Sequence, residues 1–216
     1  MNKNTILSLF DLTGIWSKPY KDNGYKVVQV DLQAGIDILS WDYKAISKES
    51  VYGILAAVPC TDFAVSGARW FAGKDQDGRT ALSMKLVAKT KEIIDYFDPV
   101  FWVIENPIGR IHKLNPWMGT PVYKFHPYEF AGYGFDNDRY TKKTCLWGKF
   151  NHPVKKSIEP YHTGDNGKIH YPKDENAKAY TWNSVECKNA RSATPMGFSQ
   201  AFYEANNEQG IERSRK

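Results

Sequence analysis

The chain has 216 residues, enough to bury one good core, so one domain with at most a small second module is expected. Hydrophobic residues make up 42% and aromatics 14%, which excludes a disordered or fibrous chain. No stretch nears the roughly 18 apolar residues of a membrane span, Met1 to Asn4 lack a signal-peptide layout, and the charge of +5 suits a polyanionic partner without requiring one, so a cytoplasmic protein is expected.

Thr5 to Phe10 is a short apolar run ending at Asp11-Leu12-Thr13-Gly14, the pattern of a buried strand feeding a turn. A helix is predicted from Trp16 to Asn23, Gly24 breaks it, and Tyr25 to Asp31 reads as a second strand with an acid at its end. Strand, glycine turn, helix, strand and terminal acid together open a nucleotide-binding α/β unit. Val51 to Val58 is a near-continuous apolar run, as a central parallel strand buried on both faces requires, and it stops at Pro59-Cys60.

A loop is predicted from Ala64 to Gly78. An amphipathic helix follows from Ala81 to Phe97, with Leu82, Leu86, Ile93, Ile94 and Phe97 as its apolar positions. Val100 to Ile104 is the next buried strand and halts at Glu105-Asn106-Pro107, and Tyr140 to Phe150 reads as a strand or hairpin with a charged end. From Asn151 to about Asn183 the chain is polar and without periodicity, a surface insertion. The close, Thr194 to Asn206, is a helix with Thr194 as N-cap and Pro195 in its first turn.

Ligands of open α/β sheets bind beyond the carboxyl ends of the strands, and here those ends carry Asp11 to Gly14, Asp31, Asp37, Pro59-Cys60 and Glu105-Asn106. Cys60, Cys145 and Cys187 are odd in number and widely spaced, which fits neither a disulfide framework nor a zinc knuckle. His112, His126, His152, His162 and His170 show no paired ligand spacing, so no metal is expected. A thiol acting alone at neutral pH needs a local cation or backbone amides to favour its thiolate. An acid among Trp102 and Pro107 has its proton affinity raised by desolvation, which suits a proton donor.

A strand-terminal Pro-Cys followed about 45 residues later by a strand-terminal Glu-Asn resembles the DNA cytosine carbon-5 methyltransferases. Pro59-Cys60 with Phe63 and Ser66-Gly67 resembles their nucleophile loop, and Glu105-Asn106-Pro107 their Glu-Asn-Val segment. Phe10-Asp11-Leu12-Thr13-Gly14 is similar to their cofactor loop, with Leu12 where that family has glycine. Asp31 is similar to the acid that holds the ribose and Asp37 to the acid that meets the adenine. Ser192 to Phe198 resembles the family's closing helix, and Arg139, Lys142 and Lys143 loosely match its Gln-x-Arg-x-Arg strand.

The resemblance implies a Rossmann-like, S-adenosylmethionine-dependent methyltransferase fold with a mostly parallel central sheet and helices on both faces. Its parts would be a catalytic core over residues 1–150, a short insertion over 151–190 in place of a target-recognition domain, and a closing helix with a basic tail over 191–216. It implies Cys60, Glu105 and Asn106 as catalytic residues. The donor, S-adenosylmethionine, would be held by Phe10, Asp11, Thr13, Gly14, Asp31, Asp37 and Pro59. Arg139, Lys142, Lys143 and Ser66 would meet DNA. A monomer with little sequence specificity is expected, as suits a phage enzyme. Two other readings stay open: a related carbon-5 modifying enzyme with a different donor or a free cytosine nucleotide as substrate, and a catalytically inactive DNA-binding relative.

Overall fold

The computed structural model describes residues 3–160 and 184–214. Its six strands are β1 (Thr5–Leu9), β2 (Lys26–Val30), β3 (Val51–Ala56), β4 (Phe101–Pro107), β5 (Tyr123–Phe125) and β6 (Thr144–Lys149). They form one sheet in the order β2-β1-β3-β4-β6-β5. The first four are mutually parallel, while β6 runs antiparallel to β4 and β5 antiparallel to β6. This is the expected mostly parallel α/β sheet. Because β2 and β3 flank β1 on opposite sides, the strand order reverses there, and the carboxyl ends of β1 and β3 open onto the crevice where α/β sheets bind ligands.

The helices are α1 (Lys18–Asp22), α2 (Phe71–Gln76), α3 (Arg79–Phe97), α4 (Ile111–Leu114), α5 (Val185–Ser192), α6 (Met196–Asn206) and α7 (Glu208–Ser214). Period-two alternation sends Leu7, Leu9, Ile54, Ala56 and Ile104 to one face of the sheet, against Val87, Ile94 and Phe97 of α3. Ile6, Leu55, Val103 and Leu146 point to the other face, against Trp16, Tyr20, Phe198 and Phe202. All six residues of β3 are buried, so its continuous apolar run reflects cover on both sides. Among the described residues no helix is long and apolar enough to cross a membrane, and no group of three His, Cys, Asp or Glu gathers as metal ligands would. His162 and His170 lie outside the described residues.

Several elements differ from the sequence expectation. The stretch expected as a loop from Ala64 to Gly78 contains a 3-10 helix, Val65–Trp70, followed by α2. The inner face of α3 runs through Thr80, Ser83, Val87, Thr90, Ile94 and Phe97, while Leu82 is 54% exposed. Small polar residues hold that face because Ser83 meets a buried carboxylate and Thr90 bonds back to the Leu86 carbonyl. β5, three residues long and edge-placed, had no alternating signal of its own. Thr194 does not cap α6: the N-cap is Pro195, without a side-chain bond, and Asp138 supplies the missing acceptor by taking the Gly197 N–H at 2.6 Å.

Of the stretch read as an insertion, residues 151–160 lie along the 3-10 helix Pro127–Tyr133. Ile158 donates its N–H to the Tyr128 carbonyl and the Lys156 carbonyl accepts from Gly132. Residues 161–183 lie outside the described residues, and α5 begins within the remainder.

Candidate active site

The chain leaves β3 at Ala56 and turns tightly at Cys60, whose carbonyl accepts the N–H groups of Phe63 and Ala64, both at 2.9 Å. Phe63 is fully buried and pins the turn to the core. Three backbone contacts join this loop to the segment after β4. Arg110 N–H donates to the Phe63 carbonyl and Val65 N–H to the Ile108 carbonyl, each at 2.9 Å, and Ala64 forms a bridge with Gly109. A Cβ on Gly109 would stand 1.9 Å from the Phe63 carbonyl oxygen, so only glycine permits this approach.

Side chains hold the same loop from the other side. Lys74 pairs with Asp62 at 3.0 Å, with both side chains nearly buried, and also donates to the Thr61 carbonyl. Ser83 donates to Asp62 at 2.6 Å. Burial works to raise the Asp62 carboxyl, but the Ser83 hydroxyl and the Lys74 ammonium together hold it below the usual range. Arg110 donates to the Asp62 carbonyl at 3.0 Å and forks onto Asp75 with two bonds of 2.8 Å. The Cys60 loop is thus fastened to α2, α3 and the exit of β4.

The β3 and β4 register pairs Ala56 with Ile104, so Glu105 and Asn106 follow directly beyond it, beside the chain leading to Cys60. Asn106 is fully buried and its amide donates to the Val58 carbonyl at 2.8 Å, tying the two strand ends together. Cys60 and Glu105 are half-buried and electrostatically coupled. Burial pushes the Cys60 thiol up, Glu105 pushes it further, and Lys142 and Arg191 pull it back, leaving it above its ordinary value. Burial likewise raises the Glu105 carboxyl against the pull of Lys142. Desolvation of this kind raises the proton affinity of a carboxyl.

A pocket lies at the ends of the first three strands, lined by Phe10, Asp11, Leu12, Thr13, Asp31, Gln33 and Ala57, with Asn189, Ser192, Ala193 and Thr194; neither Cys60 nor Glu105 lines it. Asp11 is buried and accepts from Ser8 at 2.8 Å, Ser17 at 3.2 Å and Thr13 at 3.3 Å, so it organises the loop from within. Gln29 closes the loop from β2 by donating to the Asp11 and Leu12 carbonyls. Asp31 accepts the Gln33 N–H with one oxygen, at 2.8 Å, and lines the pocket.

The remaining expected residues are spread. Gly14 adopts φ +67° beneath Gln29 and is not part of the pocket lining. Asp37 is exposed and accepts from the Leu39 N–H, and Pro59 is exposed; neither lines the pocket. Ser66 is exposed on the 3-10 turn beyond Cys60. Lys142 is half-buried and donates to the Arg191 carbonyl, whereas Lys143 is exposed. Arg139 binds the Glu159 carbonyl at 2.8 Å and Asp136 at 3.2 Å, holding the 151–160 segment. Sequence reasoning missed Gln33, Asn189 and Ser192 in the pocket wall and the Lys74–Asp62 pair. The strand-end rule covers only residues at strand ends, and the eight residues of α5 carry too little apolar pattern to announce a helix.

No family model matches the chain. A viral protein named "Probable DNA (cytosine-5)-methyltransferase", from Frog virus 3 (isolate Goorha), is 29% identical over 160 residues, spanning 66% of this chain and 69% of that protein. Among solved structures, a prophage-encoded DNA modification methyltransferase from E. coli aligns with a TM-score of 0.45 and 14% identity over 78% of this chain, which spans 57% of that neighbour's length. With Pro-Cys and Glu-Asn at neighbouring strand ends, the chain is similar over about two thirds of its length to a protein named as a probable DNA cytosine-5 methyltransferase.

Proposed function

We propose that this chain transfers a methyl group from S-adenosylmethionine to carbon 5 of cytosine in DNA, through a covalent bond between Cys60 and the base. The observation that carries the reading is the placement of a thiol, Cys60, and a carboxyl, Glu105, on neighbouring strand ends of the sheet whose switch-point pocket is lined by Ala57, three residues before Cys60. The pocket residues fit the donor. Asp31 keeps one carboxylate oxygen for ribose hydroxyls, Phe10 offers an aromatic wall, and Asn189, Ser192 and Thr194 supply polar groups opposite. The bound donor supplies an electrophilic methyl on a cationic sulfur.

Carbon 5 of cytosine is a poor nucleophile on its own. The Cys60 thiolate adds to carbon 6, forming a sulfur–carbon bond, while Glu105 delivers its proton to ring nitrogen 3 and takes up the charge. Carbon 5, then part of an enamine, would accept the methyl group that the donor, held by Phe10, Asp31 and the α5 residues, would supply, its methyl–sulfur bond breaking to leave a neutral thioether. A base removes the carbon-5 proton, the Cys60 sulfur leaves carbon 6, and Glu105 recovers its proton. Asn106 keeps Glu105 in place through the Val58 carbonyl. Because the reacting carbons lie within the base stack, the cytosine is flipped out or presented single-stranded.

A DNA-modifying role goes with a cytoplasmic location. Leu12, which lines the pocket where the resembling family has glycine, is the specific observation that favours an altered donor. Nucleoside mass spectrometry after incubation with S-adenosylmethionine and either plasmid DNA or dCMP separates the readings. The proposal expects 5-methylcytosine in DNA. Turnover of dCMP alone, or a product other than 5-methylcytosine, overturns it.

A further inference from the structure

The pocket at the ends of the first three strands is built from two parts of the chain: the segments after β1 and β2, with Phe10, Asp11, Asp31 and Gln33, and the end of α5, with Asn189 and Ser192. Among the described residues, the hydrogen bonds that join these two parts of the lining run between one pair of side chains. The Gln33 amide donates to the Asn189 side-chain oxygen and the Asn189 amide to that of Gln33, both at 3.1 Å, across 156 positions of sequence. Gln33 is exposed and Asn189 half-buried, so the pair stands at the mouth of the pocket, within reach of water. Neutral bonds so placed are readily traded for bonds to water, and the pair opens at little cost. The backbone behind each partner is fixed. Asp31 accepts the Gln33 N–H at 2.8 Å, capping the 3-10 turn Leu32–Ala34. Ser184 caps α5 by accepting the Cys187 N–H at 3.1 Å, Cys187 is fully buried, and Lys142 donates to the Arg191 carbonyl at 3.0 Å. With both backbones held, rotation of the two side chains is enough to part the joint.

We propose that the Gln33–Asn189 pair is a latch across the mouth of the donor pocket: the donor enters and leaves while the two amides are parted, and is retained once their bonds re-form. This rests on the pocket being the site of S-adenosylmethionine. It gives a role to two residues that strand-end reasoning passed over, as positioning residues that act on each other rather than on the reacting atoms. The latch is tied to the acid that would hold the ribose, because Asp31 caps the turn that carries Gln33. A side chain that reads the donor directly makes it bind more tightly, whereas a latch slows entry and exit alike.

The test measures release of labelled S-adenosylmethionine in a chase with excess unlabelled donor, without DNA, together with its association rate and equilibrium affinity. Gln33→Ala and Asn189→Ala should each speed release about fivefold, the scale of a pair of exposed hydrogen bonds, and should speed association as well, so that affinity falls by less than release rises. The double variant should match either single one, since both lose the same pair. Exchanging the residues, Gln33→Asn with Asn189→Gln, keeps the amide pair and its combined length and should return release to the wild-type rate. That recovery is a readout that a merely structural role does not reproduce. If Asn189→Ala fails to fold, Gln33→Ala and the exchanged pair decide. Unchanged release in Gln33→Ala overturns the proposal. So does a double variant that shows the product of the single effects, or a loss of affinity equal to the gain in release, since either makes the amides independent contacts to the donor. A wild-type protein that retains no labelled donor refutes the donor reading and the latch with it, a failure distinct from the others.

Discussion

Replacing Cys60 with alanine should lower methyl transfer by roughly four orders of magnitude or more, the scale on which loss of a covalent nucleophile is felt. On the proposed mechanism the substitution removes the sulfur that adds to carbon 6, and the neighbouring described groups are poor substitutes. Glu105 is held in a state that favours its proton, and Cys145, buried opposite Asn106 in the β4–β6 register, is itself pushed up by burial. The fold should be nearly unaffected, because the turn uses the Cys60 backbone carbonyl, which alanine retains. Initial rates with labelled donor, together with thermal melting and titration with S-adenosylhomocysteine, separate the two effects. Activity should vanish while melting temperature and cofactor affinity stay near wild type. Loss of all three together would show Cys60 to be structural.

The second large effect concerns stability. Lys74→Met should destabilise the chain by about 3–5 kcal/mol, because it leaves the Asp62 carboxylate buried without its counter-charge. In the native chain the Asp62 carboxyl sits below its ordinary value, so its contribution is present above the unfolded value and fades as pH falls through the folded one. Without Lys74 the sign reverses. The buried carboxyl then rises above its unfolded value, and the variant loses stability as pH increases. Urea unfolding at pH 5 and pH 8 should therefore show the larger deficit at pH 8. An equal deficit at both values would mean that the ammonium serves mainly through its bond to the Thr61 carbonyl. Transfer activity should fall too, since the same pair fixes the loop that aims Cys60.

The strand framework was legible because burial on both faces leaves a strong mark in a short run of residues. Ile54, Leu55 and Ala56 are completely buried, and so are Val103 and Ile104, which is why their segments stood out without any alternation. The candidate site was legible because this topology gathers polar groups at strand ends: Asp31 follows β2, Cys60 follows β3, and Glu105 lies in the last residues of β4, which runs on to Pro107 instead of halting at Ile104. What stayed hidden depends on contacts between distant segments. The inner face of α3 was misread at Leu82 because Ser83 turns inward to serve Asp62, 21 positions away. The cap of α6 comes from Asp138, 59 positions before Gly197. Lys74 gave no local sign that its ammonium is buried, since a lysine amid glycine and aspartate reads as a solvated loop.

The most direct test of the account uses DNA carrying 5-fluorocytosine, in which fluorine takes the place of the proton that must leave carbon 5. Mixed with the protein and S-adenosylmethionine, such DNA should yield a complex that survives denaturing electrophoresis, maps by mass spectrometry to Cys60, and is absent with Cys60→Ala. Methylated ordinary DNA with no trapped complex, or a crosslink at any other residue, would contradict it.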